Sequence, residues 1–86
     1  MPTISTFYGI TIRMFYDDHT PPHFHVQYSE FKAEISIETL QVLAGQLPRR
    51  ALTMTLEWAA RHQAELHENW ELCRQHKQPR QIQPLE

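Results

Sequence analysis

Histidine and aspartate side chains are concentrated in one short stretch of the sequence, residues 17–28. Three of the six histidines of the chain, His19, His23 and His25, lie there beside two aspartates, and a Pro-Pro pair separates the first histidine from the other two. Imidazole binds borderline divalent ions such as zinc, and it also titrates near neutral pH. This stretch is therefore the candidate functional site of the chain.

Two kinds of chemistry suit these histidines. The spacing His-x3-His-x-His allows His19, His23 and His25 to bind zinc or another divalent cation, although a closed structural site would need a fourth ligand. The same residues could supply the acid and the base for phosphodiester cleavage, with Asp18 orienting His19. The stretch contains no serine or cysteine, which argues against covalent catalysis. A purely structural interpretation, with solvated histidines beside a hydrogen-bonded turn, fits the pattern equally well.

Alternating side chains predict the strands that hold the cluster. Residues 10–16, 23–28 and 31–37 each alternate between apolar and polar side chains, which is typical of strands with one buried face. Residues 41–44 form a short candidate fourth strand, and residues 1–9 are expected to be a lead-in. The predicted inner face carries Ile10, Ile12, Met14, Phe24, Val26, Phe31, Ala33, Ile35 and Ile37.

The opposite, polar face of the predicted sheet carries the candidate site. It holds Arg13, His23, His25, Gln27, Lys32 and Glu34. Alternation therefore predicts that His23 and His25 are exposed side by side, and that replacing both with alanine leaves stability almost unchanged. Arg13 and Lys32 are candidates for holding a phosphate on this face.

From residue 48 the apolar period changes from two to between three and four residues, which predicts one helix over residues 48–76. Its main apolar stripe comprises Leu52, Leu56, Ala59, Gln63, Leu66, Trp70 and Cys73. A second set, Met54, Trp58 and Leu72, is either the edge of the core or a surface for a partner or a homodimer. Arg49 and Arg50 lie at the helix start, where the macrodipole disfavours cations. They are either solvated or candidates for binding an anionic partner.

The expected architecture is α+β: a small antiparallel sheet of three to four strands packed on one long C-terminal helix. Residues 1–76 form a single domain. Residues 77–86 form an extended C-terminal tail, which either packs back on the helix or binds a partner.

Composition excludes several classes of protein. A net charge of −2 argues against general electrostatic attraction to nucleic acid, but it permits a local basic patch. Cys73 is the one cysteine, so no disulfide can form within the chain. No apolar run approaches the ~20 residues of a membrane span, and no leader is recognisable. We therefore expect a cytoplasmic protein with no membrane contact.

Several motifs resemble the bacterial domain-of-unknown-function family 4160. They are Pro2-Thr3-Ile4-Ser5, Phe7-Tyr8-Gly9-Ile10, Asp18-His19-Thr20-Pro21-Pro22-His23-Phe24-His25, Leu47-Pro48-Arg49-Arg50-Ala51-Leu52, Glu57-Trp58-Ala59 and Glu68-Asn69-Trp70-Glu71. The resemblance implies a small bacterial protein whose gene neighbours that of a second small protein, as in a toxin–antitoxin pair. It assigns no catalytic residue.

Two functions from different classes are therefore expected. The first is an interaction protein in a toxin–antitoxin-like two-gene module, which binds the neighbouring protein through the helix and tail, with nucleic acid as a further partner. The second is a small hydrolase or ribonuclease that works through His19, His23 and His25, with or without a divalent metal such as zinc. The two are compatible if the partner of a toxin masks the polar face.

Overall fold

A computed structural model describes residues 2–86 and shows a five-stranded antiparallel sheet followed by two helices. The strands lie side by side in their order along the chain, so each connection joins neighbours. The Thr20–Pro21 peptide bond, between the second and third strands, is cis. The elements are β1 (Thr3–Phe7), β2 (Ile10–Arg13), β3 (His23–Tyr28), β4 (Phe31–Ser36), β5 (Val42–Gly45), α1 (Arg49–Arg61) and α2 (Gln63–Arg74).

The predicted inner face of the sheet is the observed core. Eight of its nine side chains are buried, and Phe31 is half-buried. Trp58 of α1 packs over this face, with its ring centroid 6.0 Å from that of Phe24 and 5.4 Å from that of Phe7. The α+β class and the inward-facing residues are thus confirmed.

The prediction of three to four strands is wrong, because part of the expected lead-in forms β1. A register shift between Thr3 and Ser5 leaves the adjacent Ile4 and Ser5 both buried, so the strand lacks simple alternation. A two-residue turn then leads into β2, and both of its residues, Tyr8 and Gly9, have positive φ.

The expected short fourth strand is present as β5, and it ends at Gly45. A Cβ atom at this position would lie 2.1 Å from the carbonyl oxygen of Lys32. Only glycine allows the two backbones to come this close. Gly45 therefore permits β5 to pair with β4.

The prediction of one continuous helix is also wrong, because the chain breaks the helix at His62. This residue has φ −129° and ψ 24° and separates α1 from α2. A single helix over residues 48–76 would be ~43 Å long, whereas the longest dimension of the protein is 33 Å. The Gln63 side chain donates a 2.8 Å hydrogen bond to the Ile37 carbonyl oxygen and fixes α2 against the end of β4.

The C-terminal tail packs back on the fold, which is one of the two outcomes expected for it. Ile82 is 3% exposed, and its backbone N–H donates to the carbonyl oxygen of Ile4. Asn69 of α2 holds the tail by two hydrogen bonds to the backbone of Arg80. These contacts cover the outer edge of β1 and leave β5 as the open edge of the sheet.

Trp58, the largest residue of the predicted partner surface on the helix, is not accessible to a partner. Trp58 is completely buried, and its indole N–H donates to the carbonyl oxygen of Gln83 at 2.8 Å. Met54 and Leu72 are half-buried, and Met54 packs against the core. The interpretation of Trp58 as a partner contact is therefore wrong, and its role is in the core. Within residues 2–86, no helix is sufficiently long and apolar to cross a membrane.

Candidate active site

Asp18, in the connection between β2 and β3, lies at the centre of the histidine cluster. Its Oδ2 atom is 2.9 Å from Nε2 of His25 and 3.0 Å from Nε2 of His23. Its Oδ1 atom accepts a 2.8 Å hydrogen bond from the backbone N–H of His19, and Nδ1 of His19 is 2.9 Å away. One carboxylate thus contacts all three histidines.

His23, at the start of β3, is buried, and one of its nitrogens has no hydrogen-bond partner. Its side chain is 1% exposed, and Nδ1 lies 2.7 Å from the carbonyl oxygen of Pro21. A carbonyl oxygen only accepts, so Nδ1 must carry the proton. In the neutral ring the Nε2 lone pair then faces Asp18, with Glu34 Oε1 at 3.6 Å. Despite these short distances, Nε2 makes no hydrogen bond of acceptable geometry.

His25 is the member of the cluster that opens onto the polar face. Its Nε2–H donates to Asp18, and its ring stacks on Phe15 with centroids 3.9 Å apart and planes 5° from parallel. The side chain is 20% exposed. In the sheet register His25 lies between Arg13 of β2 and Glu34 of β4. Asp18 and Phe15 therefore hold the His25 ring in place, and one side of the ring is exposed to solvent.

Burial and hydrogen bonding act in opposite directions on Asp18. Burial alone would raise the pKa of its carboxyl. The hydrogen bonds from His25 and from the backbone of His19, together with the positive charge that His23 and His25 can carry, outweigh burial and lower the pKa below its ordinary value. Asp18 is thus a carboxylate at neutral pH and can anchor protonated imidazole nitrogens.

The structure confirms that the histidines lie together, but it contradicts the expected exposure of His23. The ring centroid of His23 is 5.0 Å from those of both His19 and His25. It is also 5.4 Å from the ring centroid of Trp70, which comes from α2. Strand alternation gives the side of the sheet on which His23 lies. Trp70, which is far away in the sequence, covers the His23 ring on that side. The expectation that His23 is solvent-exposed is wrong.

Three residues that contact or neighbour the cluster were not predicted to belong to the candidate site. Glu34 lies across from His25 in the register, and the alternation of β4 had placed it on the right face without a role. Phe15 lies two residues after Arg13, so strand alternation places both on the face that carries His25. Its position beside His25 could therefore be read from the sequence. Trp70 has no local signal, because its contact with His23 depends on the course of α2.

The four candidate anion-binding residues do not form one patch. Arg13 and Lys32 line the same groove on the polar face, together with His25, Gln27 and Glu34. Gln27 Oε1 accepts a 2.9 Å hydrogen bond from Nη1 of Arg13 and so positions its guanidinium group. Arg49 and Arg50 are exposed in the first turn of α1, and Arg50 lines a separate depression with Tyr8, Tyr28, Met54 and Leu85. Arg13 and Lys32 are therefore the two cations that the structure brings together with a histidine.

We expect the two strand histidines to contribute very differently to stability. His23→Ala should lower the free energy of unfolding by about 2 kcal/mol, because it removes a buried ring and leaves the Pro21 carbonyl oxygen without a partner. His25→Ala should cost less than about 1 kcal/mol, because that ring is partly solvated. Urea unfolding of both variants measures the difference. Equally small losses would mean that His23 is exposed after all.

Two groups of side chains have the composition of a metal site. The first is Asp18, His23 and His25, and the second is His19, His23 and Glu34; within each group the potential ligand atoms lie within 4.8 Å of one another. Both groups share His23. The predicted zinc ligands His19, His23 and His25 are thus divided between two groups, and each group is completed by a carboxylate that the prediction did not include.

Fold and site together define a small α+β domain with a histidine–carboxylate cluster at one end of its sheet. The sequence matches the family described as "Domain of unknown function (DUF4160)" over residues 9–71, which is well over half of the chain. The chain belongs to this family, as its motifs predicted. The match covers β2 to β5, α1 and most of α2, and therefore includes the whole histidine cluster. No curated protein and no solved structure matches the chain.

Proposed function

We propose that the protein is a small ribonuclease that cleaves phosphodiester bonds in single-stranded RNA. The observation that carries this proposal is the partly exposed His25–Asp18 pair, which opens onto a groove that contains Arg13 and Lys32. A histidine held by a carboxylate beside two cations suits a reaction in which a proton moves near a phosphate.

His25 is suited to the role of general base. Asp18 accepts the hydrogen bond from Nε2–H, so the free lone pair of the neutral ring is on Nδ1. Neither a serine nor a cysteine lies in the stretch of residues 17–28, and in the proposed reaction the attacking group comes from the substrate. In RNA this group is the 2′-hydroxyl, which loses its proton to His25 Nδ1.

The rest of the reaction follows from that proton transfer. The 2′-oxygen forms a bond to the adjacent phosphorus as the bond from phosphorus to the 5′-oxygen breaks. His19 is 73% exposed beside Asp18, and as an imidazolium it returns a proton to the leaving 5′-oxygen. The products are a 2′,3′-cyclic phosphate and a 5′-hydroxyl. Arg13 and Lys32 offset the charge on the phosphate during the transfer.

The test is cleavage of one labelled oligonucleotide as RNA and as DNA. We expect the wild-type protein to cut the RNA and to leave the DNA intact, because DNA lacks the 2′-hydroxyl. His25→Gln should lower the rate by about 100-fold. The control variant His67→Gln, at an exposed position of α2, should be as active as the wild type. Cleavage that survives unchanged in His25→Gln would reveal a contaminant, and no cleavage by the wild type would refute the proposal.

A second candidate function is an interaction protein, and the open edge of the sheet favours it. All four residues of β5 are exposed, with Val42 and Leu43 each at least 40% exposed, whereas the tail covers β1 at the other edge. An uncovered edge strand with apolar side chains can accept an extended segment of another protein. We propose that this segment belongs to the small protein encoded by the neighbouring gene, in a cytoplasmic toxin–antitoxin-like pair of bacteria.

Co-expression with the neighbouring gene tests this second candidate. We expect one complex in size-exclusion chromatography, and Leu43→Lys should disrupt it because the added charge blocks strand pairing. The control variant Gln41→Lys adds the same charge at an exposed position just outside β5 and should leave the complex intact. Two proteins that elute separately, or a complex that Leu43→Lys does not weaken, would contradict the proposal. Self-association of the chain alone through this edge would instead indicate a homodimer.

A further inference from the structure

The buried nitrogen of His23 has an unusual position among polar atoms of this fold. The Pro21 carbonyl oxygen fixes the proton on Nδ1, so Nε2 of the neutral ring presents a lone pair. That lone pair points into a cluster whose nearest atom is a carboxylate oxygen at 3.0 Å. Two electron-rich atoms at this distance repel each other unless a proton or a metal cation lies between them. The geometry of Nε2 gives no hydrogen bond to the carboxylate, which favours the metal cation. Burial of a polar atom without a partner is also costly.

We propose that Nε2 of His23, Oδ2 of Asp18 and Nε2 of His25 bind one divalent cation of the zinc class. Two imidazole nitrogens and one carboxylate oxygen are ligands that Zn²⁺ and its neighbours in the transition series accept. All three side chains are mostly buried, with exposures of 1%, 11% and 20%. The second group shares His23 but depends on His19 and Glu34, which are 73% and 31% exposed. The first group is therefore the better preorganised.

The distances from Asp18 to the two histidines fit such an ion after a small expansion. Asp18 Oδ2 lies 3.0 Å from the His23 nitrogen and 2.9 Å from the His25 nitrogen. Ligands of a tetrahedral zinc ion with bonds of about 2.0 Å lie about 3.3 Å from one another. Asp18 Oδ2 must therefore move away from each nitrogen by only a few tenths of an ångström. The two histidine nitrogens lie within 4.8 Å of one another. Three protein ligands leave the fourth position of such an ion to water or substrate.

Neighbouring groups hold two of these ligands in the orientation that a cation requires. A histidine that binds a metal usually donates its other N–H to a carbonyl or a carboxylate, which fixes the ring and its tautomer. Pro21 provides this second hydrogen bond for His23. Phe15 stacks on the ring of His25 and limits its rotation. The site thus has positioned ligands before the ion arrives.

The cation site deepens the proposed ribonuclease function, but its existence does not depend on that function. Nε2 of His25 cannot hold a proton and a metal ion at once. Binding of the cation and the acid–base form of the His25–Asp18 pair are therefore alternative states of one site. Saturation with zinc is expected to change the rate of RNA cleavage, whereas binding itself is measured without any substrate.

The test is calorimetric titration of tag-free, EDTA-treated protein with Zn²⁺. We expect one ion per chain with a Kd below about 10 µM. Asp18→Asn and His25→Gln should each weaken binding by at least about tenfold, and the control His67→Gln should not. Circular dichroism shows that each variant is folded, and His23 is left unchanged because its replacement threatens the fold. With Co²⁺ as a second probe, visible absorption reports directly on nitrogen and oxygen ligands.

Two results would overturn the cation site. One is a Kd for Zn²⁺ weaker than about 100 µM, and the other is equal affinity in the wild type, Asp18→Asn and His25→Gln. The second result would place any bound zinc elsewhere on the chain. Because the titration contains no RNA, failure to cleave RNA leaves the cation site standing. Failure to bind zinc likewise leaves the acid–base proposal standing.

Discussion

Trp58→Ala should lower the free energy of unfolding by about 3–5 kcal/mol, which is the usual cost of removing a buried tryptophan. Trp58 is completely buried between α1 and the sheet, where it contacts Phe7 and Phe24. Its indole N–H also holds the tail through the carbonyl oxygen of Gln83. One side chain thus joins helix, sheet and tail. Urea unfolding followed by circular dichroism measures the loss.

Trp58→Phe is the matched control for this variant. It keeps an aromatic ring in the core but removes the donor to Gln83, so its cost should be smaller than that of Trp58→Ala. The difference between the two variants separates packing from the hydrogen bond. A loss below about 1 kcal/mol for Trp58→Ala would mean that Trp58 lies at the surface, as the partner hypothesis required.

Ile82→Asp should destabilise the protein by several kcal/mol, because it places a charge without a partner in the core. Ile82 is almost fully buried, and its backbone N–H donates to Ile4 of β1. Detachment of the tail would expose the introduced carboxylate to water, but it would also expose the edge of β1 and the apolar surface beneath the tail. Either outcome costs stability, which thermal unfolding detects.

Gln83→Asp is the control for Ile82→Asp, since it adds the same charge to the next side chain, which is exposed. We expect its melting temperature to lie within a few degrees of the wild-type value. If Ile82→Asp were as stable as Gln83→Asp, the tail would not be part of the folded core. Residues 77–86 would then be free to bind a partner, the alternative that the sequence had left open.

Local periodicity was sufficient to predict the centre of this fold. In β3, Phe24 and Val26 alternate with histidines, and the same period in β2 and β4 identifies the buried face. Tyr28 pairs with Phe31, so a two-residue turn of Ser29 and Glu30 connects β3 to β4. Such patterns are reliable because successive side chains of a strand point to opposite faces, so a period of two in the sequence identifies the buried face.

Where the sequence misled, the deciding contact was distant or the local signal was absent. In β1, the shift between Thr3 and Ser5 removes the alternation that identifies a strand. At His62 the helix ends without a glycine or a proline, so the sequence carries no local signal for the break. The position of α2 depends instead on its contacts with the sheet. Gln63 makes one of these contacts with Ile37, 26 residues away.

The candidate site shows the same division between local and distant information. Strand spacing predicted that His23 and His25 lie on one side of the sheet, and the polar groove beside His25 follows from the alternation of Arg13, Gln27 and Lys32. The burial of His23 depends on Trp70, which no pattern near the cluster indicates. The direction of the free nitrogen of His23 depends on the Pro21 carbonyl oxygen, which is a backbone atom.

The state of the His23 ring can be measured directly by nitrogen-15 NMR of the histidine side chains at neutral pH. We expect a ring with the proton on Nδ1 and none on Nε2, and an Nε2 resonance that shifts when Zn²⁺ is added. The resonances of His67, on the exposed side of α2, serve as the internal reference. A proton on Nε2, or an Nε2 resonance that zinc does not move, would contradict the assignment of this buried nitrogen as the centre of a functional site.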